Sequence, residues 1–161
     1  MAKKITAVMI LSVFLVLSAE ATMVSFVVIE TGLPQEEGRN QHSIQWENAL
    51  LDVFFDAGYI VSNAPMVRLN SRPSMKVEEF IREEINNARE GGADFFIVAQ
   101  LDFLPDTNVP NDISLVLFGV TPSVRIFENQ VTGKTYRSER EEFDDLKLII
   151  RQLVPYLRVR R

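Results

Sequence analysis

Cysteine is absent from the 161-residue chain, and histidine occurs once, at His42. Without cysteine there is no thiol nucleophile, iron–sulfur cluster, Cys-ligated zinc site or disulfide framework. A single histidine excludes a multi-histidine metal site. Basic charge is also short: 17 Lys and Arg against 22 Asp and Glu leave a net −5. Sequence-independent binding to a phosphate backbone is therefore disfavoured. No internal repeat and no low-complexity tract interrupts the chain. What is present is apolar matter, 47% of residues against 24% charged. That excludes a disordered protein, and a chain near this length buries about 68–70% of its unfolded surface.

The first residues read as an address. Lys3 and Lys4 precede an apolar stretch at 5–17, broken only by Thr6 and Ser12, and Ala19 and Ala21 frame a small-residue cleavage motif. This is the grammar of a secretory signal peptide over residues 1–21. The apolar run is short of the 20 or so residues a bilayer span needs. Retention as an anchor is the alternative, since 23–29 is apolar again. A lipoprotein anchor would need a Cys that the chain lacks. The expected product is a single α/β domain, residues 22–161, exported, since a signal peptide specifies export alone.

Along that domain, residues 24–30 (VSFVVIE) form a β-branched run that predicts a buried strand. Trp46, Leu50, Val53, Phe54 and Ala57 recur at helical spacing, and Gly58 ends that helix. Residues 59–62 leave room for a short strand, and 63–73 read as a loop. Ser74 caps a second helix carrying Val77, Phe80, Ile81, Ile85 and Ala88, stopped by Gly91 and Gly92. Residues 93–104 predict a central strand, 105–112 a turn-rich loop, and 113–128 an extended segment interruptible at Pro122. A hairpin turn is expected at Gly133, with 135–141 returning as the last strand. A final amphipathic helix over 142–157 places Leu146, Ile149, Ile150, Leu153 and Val154 inward, with Pro155 kinking or ending it. The order β-α-β-α-β-β-β-α implies an α/β sandwich, a mixed sheet with helices packed on it.

Several residue groups invite chemistry. Residues 132–135 (TGKT) carry the end of a phosphate-binding loop, but Glu128 stands where its first glycine belongs. His42 lies at a helix start beside Asn40 and Ser43, where capping accounts for it, and no G-x-S-x-G elbow supplies a serine. Asp106, Asn108, Asn111 and Asp112 offer oxygens to calcium, yet the EF-hand glycine and glutamate positions are Asn111 and Leu117. Ordinary turn chemistry accounts for the four. Glu139, Glu141, Glu142, Asp144 and Asp145 gather where a helix dipole favours negative charge. Arg151, Arg158, Arg160 and Arg161 make the end of the chain basic, suited to a helix terminus, anionic lipid or an acidic partner. Trp46 and most phenylalanines are expected in the core, with Phe55 and Phe118 off the inner faces.

Three stretches together resemble a known family. They are FVVIETG with the following ALLDVFFDAGYIVSNAP, then GGADFFIVAQLDF, and then SVRIFENQVTGKTYRSE. They resemble the small periplasmic α/β domain of the TolB N-terminal type, shared by the curli secretion protein CsgG and the penicillin-binding-protein activator LpoB. There a "GADyvv" strand precedes a "vrlyd-x-x-TGk" hairpin, matched by residues 92–98 and 124–134. The resemblance implies no catalytic residues and no cofactor, and a role in scaffolding, partner binding or assembly. The expected function is thus a non-enzymatic envelope module that binds a protein partner. No nucleic acid is expected, and membrane contact only through the N-terminal segment or the basic tail. The partner surface is expected at Asp106, Asn108, Asn111 and Asp112, at Lys134 and Arg137 beside a sheet edge, and at Arg158, Arg160 and Arg161. The alternatives are an exported hydrolase using carboxylates such as Asp102 or Glu141 in a cleft, and a tethered structural protein.

Overall fold

Val, Ile and Phe dominate residues 24–29, and their side chains alternate between two faces that are both covered, so β1 (Met23–Thr31) reads as continuously apolar. The computed structural model describes residues 21–34, 38–69 and 74–157. The expected leader, residues 1–20 of it, and the tail arginines 158, 160 and 161 lie outside the described residues.

After β1 come α1 (Gln41–Asp56), β2 (Ile60–Asn63), β3 (Val67–Leu69) and α2 (Ser74–Glu90). Then follow β4 (Phe95–Phe103), β5 (Pro110–Gly119), β6 (Val124–Thr132) and α3 (Glu139–Arg151), with a 3₁₀ turn at Val154–Tyr156. The strands make one mixed sheet in the order β2-β1-β4-β5-β6, with β3 beside β1 on the β2 side. β2, β3 and β4 run parallel to β1, while β4, β5 and β6 form an antiparallel meander. The fold is an α+β sandwich, as the alternation of patterns predicts.

Each face has its own core. Trp46, Leu50 and Phe54 of α1 and Leu146 and Ile150 of α3 pack on Phe26, Ile97, Leu115 and their face-mates. On the opposite face α2 sets Ile85 and Ala88 against Val27, Ile29, Phe96 and Val98. Gly58 and Gly92 end their helices with φ of 84° and 83°, the left-handed geometry expected of them. Phe55 is 76% exposed, as expected, whereas Phe118 is half-buried on the α2 face under the Arg125 guanidinium.

Two expectations are corrected. Residues 63–73 are not all loop, because Val67–Leu69 extends the sheet edge as β3. The hairpin turn lies not at Gly133 but at residues 120–123, around the cis Thr121–Pro122 bond, and residues 135–141 are not a strand. The reason is local. The Ser138 side chain accepts from the Glu141 N–H, and Glu139, Glu141 and Glu142 favour the first turn of α3, so the chain leaves the sheet at Thr132.

Candidate partner-binding surface

The crossover through α1 lies on one face of the sheet, and the crossover through α2 lies on the other. The two therefore part between β1 and β4, and a crevice opens beyond the carboxyl ends of those strands. In open α/β sheets this is where ligands bind. The Thr31 hydroxyl donates to Asp102 Oδ1 at 2.9 Å, joining the two strands at the crevice floor. The chain then turns away through Gly32, whose φ is 88° and whose added Cβ would stand 2.0 Å from the Phe103 carbonyl oxygen. Only glycine fits both requirements.

Residues 32–34 and 104–108 line a 570 Å³ hollow. Asp106 is exposed and takes a left-handed φ of 66°, tolerable for Asp. The Thr107 hydroxyl reaches the Leu104 carbonyl at 3.0 Å, closing the turn internally. The Asn108 carbonyl accepts from Asn40 Nδ2 at 3.1 Å, and Asn40 caps α1 by accepting from the His42 N–H. The loop is thus fastened to a helix start. A second hollow of 280 Å³, lined by residues 38–42, Arg68 and Asn108, adjoins it.

Beneath these loops lies a charge pair that sequence reasoning missed. Glu30, fully buried, accepts from Arg68 Nε at 2.7 Å and from the Asn40 N–H at 3.1 Å. Arg68 also donates to the carbonyls of Pro34 and Gly38, at 2.7 and 2.9 Å. One ion pair therefore holds β1, β3 and both ends of the β1–α1 loop. The available signal was a glutamate ending an apolar run and an arginine inside a short one.

His42 is a second surprise. Its Nδ1 stands 2.5 Å from Oε1 of the buried Glu142, joining α1 to α3 across a hundred residues of chain. Arg39 pairs with Glu47, and Lys147 with Asp52. In its contact with Glu142 the histidine joins two helices. Asp102 is engaged by Thr31, and Glu141 by the Arg137 N–H at 3.0 Å, so the two carboxylates named for hydrolysis serve different elements. Among the described residues no group of His, Asp and Glu is arranged to hold a metal ion. Residues 132–135 are the exit from β6 rather than a phosphate cradle or a hairpin tip.

The other sequence-named residues surround the same end of the sheet. Asn111 and Asp112 open β5, their side chains 2.5 Å apart, and Asp112 sits between Asp102 and Thr132 in register. Lys134 Nζ and the Tyr136 hydroxyl both donate to Asp145 Oδ2, at 3.0 and 2.8 Å. The Lys134 bond, then that of Tyr136, holds the Asp145 carboxyl below its ordinary range. Burial, and then the bond to Asp145, pushes the Tyr136 phenol well above its own. Arg137 is exposed at the same end, beside β6, an edge strand. The structure therefore gathers Asp106, Asn108, Asn111, Asp112, Lys134 and Arg137 at one pole. Leu157, the last described residue, lies at the other.

A family model described as "Uncharacterised protein" matches residues 23–116, more than half of the chain. No curated protein matches. Among solved structures, the chain is similar to a point variant of the PelC dodecamer from Paraburkholderia phytofirmans, at 15% identity and a TM-score of 0.50, over 88% of this chain and 92% of that one. It is also similar to the LpoB C-terminal domain from Salmonella enterica, at 13% identity and a TM-score of 0.46, over 77% and 92%. A third is lipoprotein GNA1162 from Neisseria meningitidis, at 9% identity and a TM-score of 0.44, over 83% and 99%. At these identities the likeness to PelC is one of fold. The sequence resemblance to LpoB has a counterpart here, and those to TolB and CsgG rest on sequence motifs alone.

Proposed function

We propose that the chain, which belongs to the family whose model spans residues 23–116, is a non-enzymatic binding module of the cell envelope that docks a protein partner at the crevice pole. The observation that carries this reading is the crevice itself. Rigid strands end there, and an exposed polar loop is fastened over it by the Asn40–Asn108 bond. Such loops on a fixed scaffold are where binding function concentrates. Asp106 and Asn108 present acceptors and donors, Lys134 and Arg137 add cationic groups nearby, and β6 offers an unpaired edge that accepts a strand.

The leader grammar supports export, with the domain beginning at Thr22 once residues 1–21 are removed, and the family resemblance supports the periplasm as its destination. No helix among the described residues is long and apolar enough to cross a membrane.

The test is affinity capture from the native envelope with tagged protein. Replacing residues 106–108 by Gly-Ser-Gly leaves Pro110 and Asn111 in β5, so folding survives and the captured partner is lost. Lys134→Glu with Arg137→Glu weakens capture further. Undiminished capture by both variants refutes the crevice pole as the binding surface.

A further inference from the structure

An open sheet has two edges, and this molecule defends only one of them. Beside β1 the edge is made of β2 and β3, four and three residues long, and the chain between them passes Pro65. Short, interrupted strands resist pairing with another chain. At the other edge stands β6, nine residues long, with neither proline nor lysine in it. Its two charges, Arg125 and Glu128, bind each other at 2.6 Å rather than repelling an incoming strand.

The register fixes which backbone groups β6 leaves open. The Gly133 N–H donates to the Asn111 carbonyl at 2.9 Å, and the next residues inward, Asp112 and Thr132, face each other. Bonded and non-bonded pairs alternate along an antiparallel ladder, so Ile113–Val131 and Leu115–Asn129 are bonded pairs. Thr132, Gln130 and Glu128 therefore turn their N–H and C=O groups away from β5, toward solvent. The Val120 N–H bond to the Asp94 carbonyl, at 3.0 Å, gives the same alternation from the β4 side of β5. All three residues are exposed, and the irregularity of β6, at residues 125–127, lies outside their stretch.

We infer that this edge takes β6 of a second copy of the chain, antiparallel, about a two-fold axis at Gln130. In that register Glu128 faces Thr132 of the second copy and Gln130 faces its own counterpart. Every outward residue then meets an outward residue, and each pair exchanges both backbone bonds. Glu128 of each copy stands one diagonal step from Lys134 of the other, so opposite charges come within reach of long side chains. Any other register leaves an outward residue unmatched, and the one centred on Glu128 sets like charges face to face. The side chains of the three residues lie on the α2 side of the sheet. They are exposed there, with Gln130 Nε2 donating to Ser114 Oγ at 3.1 Å, so α2 does not overhang the joint.

Such a contact is isologous, so it closes instead of propagating. Each β6 is used once, and the edges that remain are the short β2 and β3. The inference rests on the reading of β6 as an open edge in the proposed function, and names the strand that fills it. It leaves the loop at residues 104–108 free for a protein partner, because that loop joins β4 to β5 and does not lie on the β6 edge.

The experiment is sedimentation velocity over a concentration series, on protein purified from the envelope of expressing cells in the form it has there. The wild-type chain is expected to sediment as a dimer. Gln130→Pro removes only an outward N–H, so the fold survives while both bonds of the central pair are lost, weakening dimerisation about tenfold. Gln130→Lys and Gln130→Glu each put like charges on the axis and are expected to shift the protein to monomer. An equimolar mixture of those two is expected to restore the dimer. Far-UV circular dichroism checks that each variant folds, and if Gln130→Pro does not, the Lys and Glu variants carry the test. A monomeric wild type, a dimer indifferent to Gln130→Pro, or no recovery in the mixture overturns the pairing. A monomeric wild type whose partner capture is lost with Gln130→Pro assigns the edge to a foreign strand, which overturns it too. Replacing residues 106–108 is expected to leave sedimentation unchanged, so failure here and failure of the crevice surface are distinguishable.

Discussion

At the scale of single residues, geometry rather than residue type ranks the glycines. Gly58 has a positive φ but open space around its Cα, while Gly32 combines a positive φ with a backbone oxygen where a Cβ would be. Gly58→Ala should cost about 1 kcal/mol, the ordinary penalty of a left-handed alanine. Gly32→Ala must also displace the end of β4, so its melting temperature should fall several-fold further; equal shifts would refute this account. Asp145 carries a pH prediction. Its carboxyl is held low in the folded state by Lys134 and then Tyr136. A depressed carboxyl stabilises the fold above its unfolded value, and that contribution fades as pH falls below about 4. Lys134→Ala should move the Asp145 titration upward toward the ordinary value in carboxyl-detected NMR. An unmoved titration would assign the shift to Tyr136 alone.

At the scale of elements, the crevice depends on a clamp below it. Glu30 and Arg68 come from different strands and meet where neither is solvated, with side-chain exposures of 0% and 9%. Such a pair is poor evidence for net stability, but breaking it strands a buried charge. Glu30→Ala should therefore cost about 3–5 kcal/mol by urea denaturation, the range for an orphaned buried partner. It should also speed exchange of the Asn40 amide, which loses its acceptor. Replacing both residues by apolar side chains of similar volume should recover much of the loss. The pair His42 and Glu142 likewise ties α1 to α3, as Lys147 with Asp52 does, beside the apolar contacts between the two helices.

For the molecule as a whole, β1 and β4 serve both cores, sending Phe26 and Ile97 to one face and Val27 and Phe96 to the other. Loss of either core removes support from the strands that back the other, so unfolding should be a single transition. Trp46 reports the two-helix face by fluorescence, and far-UV circular dichroism reports all helices. The two urea curves should superimpose; a dichroism change ahead of the Trp46 shift would show α2 leaving its face independently. The same arrangement gives the molecule its axis. α1, α2 and α3 each run from the crevice pole toward the opposite one, as the parallel crossovers through α1 and α2 require of those two.

The sequence by itself determined the elements whose signals are local. Periodicity marks α1, α2, α3, β1 and β4, and left-handed glycine marks where α1 and α2 stop. Absence of cysteine and the single histidine narrow the chemistry before any fold is in view. Where two local signals compete, pattern alone does not rank them. Gly133 suggests a turn, but the Ser138 cap and the acidic residues behind it commit that stretch to α3. Only the tertiary structure decided what depends on pairings distant in sequence: Glu30 with Arg68, His42 with Glu142, and Thr31 with Asp102. It also decided that six candidate residues share one pole. Hydrophobic pattern specifies which face of an element is buried, and strand order alone specifies which loops become neighbours.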